Sequence, residues 1–141
     1  MSHPARRAHV LLVDDTEAIL DVMRDVLEAE GYRVSVSLEP LDLNRIRDLQ
    51  PDVIVQDLLF AGKPATDWKS LSLARPDTNG AQIPLILCTA ALQTVKEPEM
   101  AENLDRLGVR VLLKPFDLDD LLMVVSEALS PQALFNEAVA S

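Results

Sequence analysis

Apolar residues along this chain keep two rhythms. Short runs of about five residues are apolar at nearly every position, as in strands buried on both faces. Between them, apolar positions recur every three or four residues, as on one face of a helix. The first run covers 8–13. Ile19, Leu20, Met23, Val26 and Leu27 follow at helical spacing, with Asp21, Arg24, Asp25 and Glu28 opposite. Asp15 or Thr16 can cap this helix, and Gly31 can end it in the left-handed conformation. Over 32–37, Val34 and Val36 alternate with polar residues, which predicts a strand near a sheet edge. A short helix over 41–49 closes before Pro51, and a third strand runs over 53–57. The stretch 58–82 is the least regular. A helix over 65–74 would carry Trp68, Leu71 and Leu73, and Pro76-Asp77 and Asn79-Gly80 mark turns. A fourth strand over 83–88, a helix around 99–107 and a fifth strand over 109–113 follow. Pro98 suits the first turn of that helix, and Gly108 its end. Asp117 then caps a helix with Leu118, Leu121, Leu122, Val125 and Leu129 on its apolar face.

Strands alternating with helices predict an α/β fold. The sheet is parallel, the crossovers are right-handed and helices cover both faces. At 141 residues the chain is long enough for one domain with a substantial core. The expected division is a tail at 1–7, the domain at 8–130 and a short amphipathic extension at 131–141. The extension carries Leu134, Phe135, Ala138 and Val139. It either folds back on the core or forms a homodimer or partner surface.

Charge narrows the function classes. The formal net charge is −10, with 23 acidic against 13 basic residues, which argues against direct nucleic-acid binding. No run approaches the roughly 20 apolar residues that span a bilayer. The run after Arg6-Arg7 meets acids too soon for a secretion signal. The expectation is a cytoplasmic protein with no membrane contact. The single cysteine, Cys88, lies in an apolar run and reads as an inert core thiol.

The candidate chemistry sits at the strand exits. The first strand runs into Asp14-Asp15, the third ends at Asp57, the fourth reaches Thr89-Ala90 and the fifth reaches Lys114-Pro115. In a parallel α/β sheet these exits share one edge, where ligands bind. Three carboxylates held together call for a counter-charge or a proton. Mg²⁺ or Mn²⁺ meets that need with oxygen ligands. A carboxylate beside such an ion can attack a phosphoryl group and become an acyl phosphate. Lys114 can pair with one phosphoryl oxygen and the Thr89 hydroxyl can donate to another. Ala90 leaves room for the group to enter. Taken singly, the acid pair could cap a helix, Asp57 could be a loop acid, Lys114 a surface charge and Thr89 a cap.

The stretches HVLLVDD at 9–15, PDVIVQD at 51–57, IPLILCTA at 83–90 and LLKPF at 112–116 resemble, in this order, the receiver domain of two-component response regulators. The resemblance covers about 8–130. It implies a doubly wound, flavodoxin-like sheet of order 2-1-3-4-5 and a stand-alone, single-domain receiver. It implies that Asp57 accepts the phosphoryl group, that Asp15 binds the metal directly and that Asp14 assists. The backbone carbonyl of Leu59 completes the ligand set, while Thr89 and Lys114 read the phosphoryl group. The implied partners are a sensor histidine kinase or phosphotransfer protein and a downstream protein target. The implied catalysis is limited to the domain's own phosphorylation and dephosphorylation.

Three features depart from the family pattern. Val111 stands where an aromatic usually lies, three residues before the lysine. Ala61, Gly62 and Lys63-Pro64 replace the usual proline and glycine after the acceptor. No output domain follows the fifth helix in this sequence. Leu59 and Ala91 are also apolar where polar side chains could orient a hydrolytic water, which predicts a long-lived acyl phosphate. Two other readings belong to different classes. One is a receiver-like interaction module that works without phosphorylation. The other is a metal-dependent phosphohydrolase, which would need an acid at position 59.

Overall fold

The computed structural model describes residues 7–57, 59–60, 63–64, 83–90, 98–106 and 108–129. The helix expected over 65–74, the 131–141 extension and Ala91 lie outside the described residues. The elements run β1 (His9–Val13), α1 (Glu17–Ala29), β2 (Arg33–Ser37), α2 (Leu43–Leu49) and β3 (Val53–Asp57). They continue with β4 (Leu59–Phe60), β5 (Lys63–Pro64), β6 (Leu85–Thr89), α3 (Pro98–Arg106), β7 (Arg110–Leu113) and α4 (Leu118–Ala128).

Five strands form one all-parallel sheet in the order β2-β1-β3-β6-β7. Counting only the strands of this sheet, that is the expected 2-1-3-4-5. β1 and β3 are neighbours, and the chain winds away from them in opposite directions. This reversal opens a crevice at the strand exits.

The near-continuous apolar strands are explained by two cores, one on each face. Strand side chains alternate between faces. Val10, Leu12, Val53, Val55, Ile86 and Cys88 therefore meet Leu20, Met23 and Leu27 of α1 and Leu121 and Val125 of α4. Their sequence neighbours Leu11, Val13, Ile54, Leu85 and Leu87 meet Ile46 of α2 and Leu104 of α3. β1, β3 and β6 are buried at every position.

Several local expectations change. β2 is at the edge, as its alternation predicted, but Val36 is 41% exposed and only Val34 packs on the core. The stretch read as irregular contains an antiparallel pair, Leu59↔Pro64 and Phe60↔Lys63. Two-residue strands are too short to show an apolar rhythm. Thr16 is the N-cap of α1, yet its side chain does not cap. Its backbone N–H donates to Asp14 Oδ1 at 2.9 Å. Gly31 takes φ +97 after α1, as its position suggested. The end of α2 was not anticipated in detail: Gln50 itself turns left-handed, with φ 51, before Pro51.

Candidate functional site

Register brings the four strand exits together. Val13 pairs with Gln56, so Asp14 and Asp57 leave adjacent strands at the same level. Asp57 pairs with Cys88, and Thr89 lies one residue beyond. Thr89 pairs with Leu113, so Lys114 is the next residue out. The backbone is tied there too, because Lys114 N–H donates to the Thr89 carbonyl at 2.8 Å. A one-residue slip in any pairing would turn one of these side chains to the wrong face.

The acids form a compact group. One oxygen from each of Asp14, Asp15 and Asp57 lies within 4.8 Å of the others. Asp14 and Asp57 are buried and Asp15 is exposed. Beneath them the floor is apolar, with Leu12, Leu20, Met23, Val55 and Cys88. A floor of that kind supplies no counter-charge. Lys114 reaches over it, with Nζ 3.0 Å from Asp14 Oδ2 and 3.2 Å from Asp57 Oδ2. Burial by itself pulls the Lys114 ammonium toward neutrality. The hydrogen bond to Asp14 and the charges of Asp14 and Asp57 outweigh this, and its pKa is raised. Lys114 is therefore held charged.

The structure thus gathers Asp14, Asp15, Asp57 and Lys114. It places Thr89 at the neighbouring strand end, only 1% exposed. Leu59 lies two residues past Asp57, in β4. The donor set fits a hard divalent cation: three carboxylates outnumber the one ammonium bridging two of them, and all their donors are oxygen. Lys114 was expected to read a phosphoryl group, and its bridging of the two acids was not anticipated. The signal was present in the sequence, since three carboxylates held together at the strand exits call for a positive charge nearby. Cys88 matches its reading as an inert core thiol. It is 2% exposed, and burial pushes the thiol up to about 12. Val111 is half-buried and packs on the core that contains Leu11 and Val13.

No protein-family model matches the chain. Among known proteins, it is 30% identical over 115 residues to the DNA-binding dual master transcriptional regulator RpaA of Synechocystis, covering 80% of this chain and 45% of that protein. It is 27% identical over 117 residues to the DNA-binding response regulator MtrA of Mycobacterium tuberculosis, covering 82% of this chain and 48% of that one. The chain spans about half the length of these curated relatives. Among solved structures, the CheY-like response regulator receiver domain protein of Methanospirillum hungatei superposes with a TM-score of 0.69 at 25% identity, over 88% of this chain and 94% of that one. The signal receiver domain of a Luxo repressor protein from Vibrio parahaemolyticus gives a TM-score of 0.72 at 23% identity, over 96% and 99%, and shares the fold. The chain thus has the fold of CheY-like response regulator receiver domains, and the relatives it matches in sequence are response regulators.

Proposed function

We propose that this domain works in a phosphorelay by accepting a phosphoryl group on Asp57. The observation that carries this reading is Lys114, whose ammonium bridges Asp14 and Asp57 over an apolar floor at the sheet's ligand-binding edge. The working unit is residues 8–130, with 1–7 as a tail and 131–141 as an extension. Within it, β1 begins at His9 and α4 ends at Ala128.

An Asp57 carboxylate oxygen attacks phosphorus on a donor phosphohistidine or small acyl phosphate. The new P–O bond forms as the bond to the leaving group breaks, and the electron pair departs with that group. The product is an acyl phosphate on Asp57. Lys114 can turn from the carboxylates to a phosphoryl oxygen, and the Thr89 hydroxyl can donate to another. Asp14, Asp15, Asp57 and the Leu59 carbonyl would hold Mg²⁺ or Mn²⁺, which supplies charge neutralisation for the transferring group. Output then passes by protein–protein contact. The donor is a histidine kinase or phosphotransfer protein.

Incubation with Mg²⁺ and a small acyl-phosphate donor should add one phosphoryl mass, and Asp57→Asn should abolish it. Uptake that persists in the variant removes Asp57 from its role. No uptake from either kind of donor leaves a phosphorylation-independent module. Rapid turnover of many phosphate esters makes the protein a hydrolase.

A further inference from the structure

The apolar cleft of about 640 Å³ between α1 and the segment leading into α4 is lined by Lys114 and so adjoins the acid cluster. A second apolar surface stands away from that site, along β2. β2 closes one side of the sheet, and among the described residues no strand pairs with its outer edge. Arg33 N–H donates to the Ala8 carbonyl, and the Ser37 carbonyl accepts from Asp14 N–H, so the backbones of Arg33, Ser35 and Ser37 face β1. The N–H and C=O groups of Val34 and Val36 therefore point outward, a row of groups open to another strand. Beside them, Val36 is 41% and Leu38 48% exposed. Arg33 is exposed at one end of this edge and Glu39 at the other. Ser37 Oγ fixes the Glu39 backbone there, donating to its carbonyl at 2.6 Å and accepting from its N–H at 3.2 Å. No proline or bulge breaks the strand.

We infer that β2 docks antiparallel onto β2 of a second copy of this chain, about a two-fold axis at Ser35, joining the two five-stranded sheets into one. The residue order favours this occupant. In that register Val34 meets Val36 and Tyr32 meets Leu38 on one face, while Arg33 meets Ser37 and Ser35 meets itself on the other. Val34 and Val36 exchange backbone hydrogen bonds across the seam in both directions. Arg33 lies diagonal to Glu39 of the partner subunit, about 7 Å away between backbones, which a long side chain spans. The register is specific. Moving the axis to Val36 sets Tyr32 against Pro40, and moving it to Val34 sets Leu38 against Glu30. Each copy carries a net charge of −10, so approach is opposed overall, and the two Arg33–Glu39 pairs place opposite charges where the copies meet. The antiparallel axis sends the two acid clusters to opposite ends of the joint sheet. The seam therefore leaves both clusters open and does not depend on the role of Asp57.

Sedimentation equilibrium of the full chain, in a series reaching about 1 mM, populates even a small interface of this kind. It should show a monomer–dimer equilibrium. Val36→Pro removes an outward N–H while leaving the pairing with β1, and should weaken the dimer about tenfold. Arg33→Glu and Glu39→Arg should each weaken it several-fold, and the double exchange should restore it. Met123→Ser, 60% exposed on α4, should change nothing. Ser35→Cys should cross-link to its own copy on mild oxidation, because residues on the axis lie within disulfide reach. Ser37→Cys, whose copies lie on opposite sides of the axis, should not. Cys88 is buried and takes no part in this exchange. A monomer throughout the series, a dimer that Met123→Ser dissolves, or equal cross-linking by Ser35→Cys and Ser37→Cys would overturn the seam. If Val36→Pro fails to fold, the charge exchange decides, and a double variant no tighter than either single one would overturn it as well.

Discussion

Lys114 shows how much one residue can carry here. It holds two carboxylates together, it walls the apolar cleft, and its backbone is pinned to Thr89. Its position before Pro115 was conspicuous in a chain with only four lysines, but its partners depend on register across three strands. Leu59 makes a separate prediction. An apolar residue two positions past Asp57, the proposed acceptor, cannot hydrogen-bond an attacking water. Leu59→Glu should therefore speed loss of the phosphoryl group several-fold, and an unchanged decay measured by mass would count against this role. His9 supports a third prediction, at the opposite edge of the sheet. It is 4% exposed, its Nε2 meets Ser35 Oγ at 2.7 Å, and its Nδ1 has no hydrogen-bond partner. Burial lowers its pKa most, helped by the positive charge of Arg33. The Gln50 and Leu49 backbones and the Asp52 charge oppose this less strongly. The folded state thus prefers neutral His9. Its contribution to stability is full above the unfolded pKa of about 6.5 and is lost as pH falls toward the lower folded value. Urea midpoints should fall across that window, and His9→Asn should flatten the slope.

At the scale of elements, the strands and helices were legible because each has a strong period and clear stops. α4 begins after Asp117, whose N–H donates to Asp120 Oδ2 at 3.3 Å, and α1 turns off at Gly31. α2 is short and leans on its ends. Asp42 Oδ1 accepts from Arg45 N–H at 2.8 Å, and Ile46 anchors the helix in the core. Asp42→Ala should cost about 1 kcal/mol, read from urea unfolding. A value near zero would assign the cap to solvent. The β4–β5 pair stayed hidden because a two-residue strand has no period to detect, and its bonds are with a segment just beyond it. The exposure of Val36 was not legible for a related reason. Alternation shows that a strand has two faces, while what covers each face at an edge is decided by the neighbouring helices.

Across the whole molecule, the acid cluster at one edge should make stability respond to divalent cations. A cation that binds only the folded cluster stabilises it as RT ln(1 + [L]/Kd), about 2.7 kcal/mol at a hundredfold excess over Kd. Millimolar Mg²⁺ should raise the unfolding temperature of the full chain. Asp14→Asn and Asp15→Asn should blunt the rise, and an equal rise in both variants would place the ion elsewhere. The sequence by itself determined the alternating elements, the two-sided burial of the strands and the four polar exits. These follow from local periods and from residue types that act within a few positions. The tertiary structure alone decided that Lys114 bridges Asp14 and Asp57, residues 100 and 57 positions away, and that α1 and the segment after β7 leave an apolar cleft between them. Those features arise from strand register and helix packing, and no local pattern carries the distance between elements remote in sequence.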